Sequence, residues 1–121
     1  MENTMEENRS LIEWLTAIVG AWILVSVWLL PLVQPGITLS GSAQMNHLIV
    51  GAVVVVLALA GVFAYQIWEE WLLAGLGLWL VASPWILGFS DLGTFVLSDI
   101  LVGLFLVATS GWLVFTDNAA A

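Results

Sequence analysis

His47 and Asp99 are the side chains in this sequence best suited to moving a proton or holding a cation. An imidazole titrates close to neutral pH, and a carboxylate beside it can orient the ring or take its proton. His47 is the only histidine, so such chemistry has one imidazole to work with. The plainer reading makes both residues solvated members of a first helical turn, since one histidine and one aspartate are a thin basis for a site. Glu13 and Glu70 form a second pair, each at the start of an apolar run. A carboxylate there favours the positive end of a helix dipole, so capping is the role expected of them. Cysteine is absent, which removes thiol catalysis, disulfides and Cys-ligated metals. There is no Gly-rich phosphate loop, no HExxH and no Ser/His/Asp set. No catalytic, cofactor or metal residue is assigned, and no enzyme activity is expected.

Eight tryptophans are the next resource. Trp14, Trp28, Trp68, Trp71, Trp85 and Trp112 fall near the ends of apolar runs, where an indole suits a half-wet membrane interface. Trp22 and Trp79 fall near mid-run and could stack on a pigment or quinone. Packing against Gly20, Gly75 or Gly77 of another helix is the preferred reading, because small residues are the usual points of close contact in membrane bundles.

These side chains need a scaffold, and the composition says which kind. The chain is 62% hydrophobic and 8% charged, with a mean hydropathy of +1.10. Soluble domains carry about 25% charged residues, so the expected solvent is a bilayer. Arg9 is the only basic residue against nine acids, which makes nucleic acid and anionic headgroups poor partners. Glu2, Glu6 and Glu7 replace the basic start a signal peptide needs, so the first apolar run is expected to stay in the mature protein.

Four runs are long enough to matter. Ser10-Leu-Ile-Glu13 reads as a capping box opening a first transmembrane helix over about 11–33, after an acidic tail at 1–10. Pro31 and Pro35-Gly36 stop it. Asn46 is the expected N-cap of a second helix to about 66. Its valine run Val53–Val56 stays helical because an isolated strand in lipid leaves its backbone unsatisfied. A third helix is expected over about 70–88 and a fourth over about 98–115, with a tail at 117–121. The link between the second and third is so short that a tight hairpin is expected there.

The chain also repeats itself. An offset of 57 sets Glu13-Trp14-Leu15 on Glu70-Trp71-Leu72 and Ala17 on Ala74. It also sets Gly20, Trp22, Ser26, Trp28 and Leu30 on Gly77, Trp79, Ser83, Trp85 and Leu87. After the loops the offset becomes 52, and Asn46-His47 meets Ser98-Asp99 while Gly51 meets Gly103. Repeat one is 11–66 and repeat two 67–116. Two spans per repeat make the copies parallel about an axis along the membrane normal, which could bring His47 to Asp99. The small faces Ala17/Gly20 and Ala74/Gly77 are expected to set the first and third helices against each other, the second and fourth outside. On that arrangement Val54→Leu is tolerated.

The stretch Trp79-Leu-Val-Ala-Ser83-Pro84-Trp85-Ile-Leu-Gly88-Phe89 resembles the signature of the SPW-repeat membrane proteins of bacteria and archaea. These are small integral membrane proteins with two transmembrane helices per repeat. Trp71, Trp79, Ser83, Pro84, Trp85 and Gly88 carry the likeness, with Trp14, Trp22, Ser26 and Trp28 as the first-copy equivalents, where Val27 replaces the proline. Asn46 followed by Gly51 resembles the start of the family's second helix. The likeness covers roughly residues 12 to 115. It implies a fold rather than a reaction. Similar domains sometimes accompany vitamin K epoxide reductase-like redox proteins, which implies an accessory role.

The expected protein is all-α, with four transmembrane helices from two tandem parallel repeats. It is expected to be a non-enzymatic scaffold or accessory subunit of a membrane complex, partnered by lipid and by another membrane protein or its own copies. The alternatives are a small transporter or pore and, third, a cofactor-carrying redox subunit. Arg9 flanks the first helix, so the positive-inside rule places both termini in the cytoplasm of a multi-pass cell-membrane protein.

Overall fold

A computed structural model describes residues 2–39 and 41–120, with side chains over 7–39 and 41–116. Met1, Ser40 and Ala121, and so the ends of the two expected tails, lie outside the described residues. Four helices account for nearly all of it: α1 (Glu2–Val33), α2 (Gly41–Phe63), α3 (Ile67–Ile86) and α4 (Gly93–Ala120). Glu7–Val33, Gly41–Phe63 and Gly93–Thr116 are each long and apolar enough to cross a membrane. The third helix is the shortest, at 20 residues, and holds Glu69, Glu70, Ser83 and Pro84.

Two expected caps are corrected. Helix α1 runs through Ser10 and Glu13, and α2 begins five residues before Asn46, so neither residue caps a helix. A cap-like side chain ends a helix only where the chain upstream leaves it, and in both places the chain upstream continues the helix.

The helices pair as hairpins. The first packs along the second and the third along the fourth, while α1 with α4 and α2 with α3 touch far less. The tight hairpin expected between α2 and α3 is therefore absent: a short link fixes where two helices meet, not how long they stay together. A larger correction concerns the helix crossings. The first and third helices do not pack on one another. Gly20 faces α2, where a Cβ on it would stand 2.7 Å from Val54 Cγ1. Gly77 faces α4, where its Cβ would stand 2.6 Å from the Gly103 carbonyl. Small residues do mark the close approaches, but each pairs with the next helix in its own hairpin. Val54 is itself buried against Gly20, so the expected tolerance of Val54→Leu is withdrawn.

The middle of the bundle is apolar. Ile23, Val50, Val54, Leu57, Leu73, Leu80, Val102 and Leu106 fill it. A second cluster, Val27, Leu39, Ala43, Phe89 and Phe95, closes the end formed by the loops after α1 and α3.

The Ser-Pro-Trp segment lies inside α3, with Pro84 two residues from the helix end. Pro84 has no amide hydrogen to offer the Leu80 carbonyl. The Ser83 hydroxyl donates to that carbonyl instead, at 3.0 Å. Gly88 then takes a left-handed φ of 82°, and the Phe89 amide donates back to the Pro84 carbonyl at 2.9 Å. That is the glycine-terminated helix end an L-residue with a Cβ resists. In α1 the Ser26 hydroxyl makes the matching bond to Ile23 at 2.8 Å, although Val27 keeps its amide. Ser83→Ala should therefore cost about 1–3 kcal/mol, the penalty for an orphaned buried carbonyl, and Ser26→Ala clearly less. Unfolding midpoints of the two variants in a detergent titration would check the difference, and equal midpoints would refute it.

Candidate functional site

The same helix end that Gly88 closes delivers Phe89 into the bundle. Phe89 is 4% exposed, and its ring meets His47 edge-on at 5.3 Å, with Phe95 meeting the imidazole from α4 at 5.8 Å. Between these rings His47 and Asp99 are fully buried, and His47 Nε2 lies 2.8 Å from Asp99 Oδ1. The other ring nitrogen, Nδ1, lies 2.9 Å from the Ala43 carbonyl one turn earlier in α2. The two residues matched by the 52-residue offset are thus in direct contact, and they are not the solvated first-turn residues of the plainer reading.

Two further bonds flank the pair. The Trp22 indole of α1 donates to Ser98 Oγ on α4 at 2.7 Å, and the Trp79 indole of α3 donates to Asn46 Oδ1 on α2 at 2.6 Å. Each joins the two hairpins. Asn46 Nδ2 and Asp99 Oδ2 have no partner in this layer. Trp22 and Trp79 also pack on the apolar core of Ile23, Val54, Leu80 and their neighbours. The atoms nearest Gly20 and Gly77 belong to Val54, Val55, Gly103, Leu106 and Val107, and Gly75 faces open space. The hydrogen bonds of the two indoles were not foreseen. The other six tryptophans are all exposed, between 47% and 63%. Beyond the pair, Thr38, Leu39, Ala43, Leu87, Gly88, Phe89, Asp91 and Leu92 line a cleft of about 250 Å³. Phe89 and Ala43 separate it from the imidazole.

At the opposite end the charges gather in a way the capping reading does not describe. Glu13, Glu69 and Glu70 are at most 2% exposed. The carboxyl groups of Glu13 and Glu70 are within hydrogen-bonding reach of each other, and Ser110 of α4 hydrogen-bonds Glu70. Among the described residues no other donor reaches either oxygen of Glu13. Gly61 of α2 leaves the space the Glu13 carboxyl occupies. Arg9 lies over the Tyr65 ring at 4.3 Å and adds the one nearby positive charge. The carboxyl groups thus converge between α2 and α4, Glu13 from well inside α1 and Glu69 and Glu70 from the first turn of α3. The helix-start position expected of Glu70 holds, and that of Glu13 does not. Burial of Glu13 and Glu70 depends on helix rotation, which spacing alone leaves open. No group of three or more His, Cys, Asp or Glu side chains with metal-binding geometry occurs among the described residues.

Long apolar helices, an interior sealed around paired polar groups and six tryptophans turned outward define a small all-helical membrane protein. Residues 10–113 match the family described as the SPW repeat domain, and the chain belongs to that family. No curated relative and no solved structure matches it.

Proposed function

We propose that this is a non-enzymatic multi-pass protein of the cell membrane, acting as a scaffold or accessory subunit packed on a larger membrane complex. In this reading α3 also spans the bilayer, so four spans form two tandem parallel hairpins, and Arg9 holds both termini in the cytoplasm. The matched bonds Trp22–Ser98 and Asn46–Trp79, with His47–Asp99 between them, support the repeat arrangement.

One observation carries the scaffold reading: the layer between the two polar ends is filled by buried Ile23, Val54, Leu80 and Leu106. A coupled transporter marks its path with ionisable groups at that depth. The runner-up, a small transporter or pore, draws on the buried pairs above and below this layer. Purification from native membranes in mild detergent should bring a membrane-protein partner in stoichiometric amount. The chain alone in liposomes should leave proton and ion gradients intact. Dissipation of a gradient by the chain alone would favour the runner-up.

A further inference from the structure

The diagonal helices of the bundle, α1 with α3 and α2 with α4, do not pack on one another. Each diagonal is bridged by ionisable side chains all the same. Glu13 and Glu70 link α1 to α3 at one end, and His47 and Asp99 link α2 to α4 at the other.

Counting protons shows what these bridges need. Both neighbours of His47, the Ala43 carbonyl and an ionised Asp99, are acceptors, whereas a neutral imidazole has a single N–H. One of the two contacts would then set lone pair against lone pair. The pair would also carry a net negative charge between two phenyl rings, which burial strongly disfavours. One added proton resolves both faults. The pair then exists as imidazolium with carboxylate, or as imidazole with carboxylic acid, and is uncharged overall. The other end obeys the hydrogen-bonding half of this arithmetic, because two carboxyl groups hydrogen-bond only when one of them holds a proton. The one negative charge left on that pair is faced by Arg9.

We propose that these two pairs are proton-binding sites that latch the hairpins together, each closed only while it keeps its one proton. The surroundings permit this. The electrostatic partners of His47 and Asp99 among the described residues are each other and the Ala43 carbonyl. From α1 and α3 the layer receives the neutral indoles of Trp22 and Trp79, and Asp91 stands beyond Phe89 on the cleft. Glu13 and Glu70 are faced by Arg9 on α1, Glu69 on α3, Ser110 on α4 and, from the α2 side, by Gly61 and Tyr65. The proton is needed in the docked state, so docking is lost as the pH rises and not as it falls.

The chain has no cysteine, so spin labels can be placed at will. Leu32→Cys and Ile86→Cys fall on exposed ends of α1 and α3, at the His47–Asp99 end of the bundle. In liposomes, the label-to-label distance is followed from about pH 5 to about pH 10, which brackets imidazole titration. It should lengthen at the alkaline end by roughly 5 Å, half a helix diameter. Asp99→Asn offers an amide N–H to Nε2 while Nδ1–H keeps Ala43, so both contacts survive without the extra proton. Glu13→Gln does the same for Glu70. The double variant should therefore hold the short distance throughout. A wild-type distance that ignores pH, or a double variant that lengthens with the wild type, overturns the proposal. If the double variant does not fold, each single variant is read instead, and both titrating like the wild type overturns it equally.

Discussion

Gly77→Ala and Gly103→Ala are each expected to cost roughly 3 kcal/mol or more and to unfold the second hairpin, because the added methyl meets backbone rather than a yielding side chain. A Cβ on Gly103 would lie 2.5 Å from the Gly77 carbonyl and 2.7 Å from Val81 Cγ2. The reciprocal contact, from Gly77 to the Gly103 carbonyl, is 2.6 Å. Neither helix can give without parting from the other, and close approach is what holds helices together where lipid offers no hydrophobic contrast. In the first hairpin Gly51 is equally confined, at 2.8 Å from the Leu24 amide, whereas Gly20 meets mainly the movable Val54 side chain. Gly20→Ala should thus be the mildest of the four. Gly75 and Gly111 have open space where a Cβ would go, so alanine there should be neutral or slightly stabilising. Unfolding in a denaturing-detergent titration ranks all six, and equal midpoints for Gly103→Ala and Gly75→Ala would refute the crossings.

His47→Ala should be the most damaging change outside the glycines. It leaves Asp99 fully buried with no partner for Oδ1, when Oδ2 already lacks one. Removing one side of a buried pair costs about 3–5 kcal/mol, since Asp99 must then stay charged without a partner or take up a proton and remain unsatisfied. Removing Asp99 as well takes the stranded carboxyl away. The double alanine variant should therefore lose less than the sum of the single ones, with a coupling on the order of 1–3 kcal/mol. Additive losses would mean that the contact between α2 and α4 contributes nothing to the joined hairpins.

The apolar runs made four helices legible, because only the helix satisfies a backbone in lipid. The family signature was legible as well, and the structure adds what its letters do. Ser83 replaces the bond Pro84 cannot make, and Gly88 turns Phe89 onto His47. Gly20 and Gly77 alone do not define the crossings, since a glycine says that something comes close without saying what. The needed hint lay in the other matched pair, Gly51 and Gly103, which supplies one glycine for each helix. His47 and Asp99 could be set together from the repeat register. The Trp22–Ser98 and Asn46–Trp79 bonds could not, because they depend on how each helix is rotated about its own axis. The same unknown hid the burial of Glu13, Glu69 and Glu70.

Everything proposed for the polar seam rests on which helices of the two hairpins meet. The surface bond between Gln34, after α1, and Thr94, at the start of α4, is where that can be read in native membranes. A Gln34→Cys, Thr94→Cys chain treated with a short bifunctional thiol reagent should cross-link within one chain. A Gln34→Cys, Ile86→Cys chain, which joins the ends of α1 and α3, should not. The opposite pattern would return α1 to α3 and contradict the bundle described above.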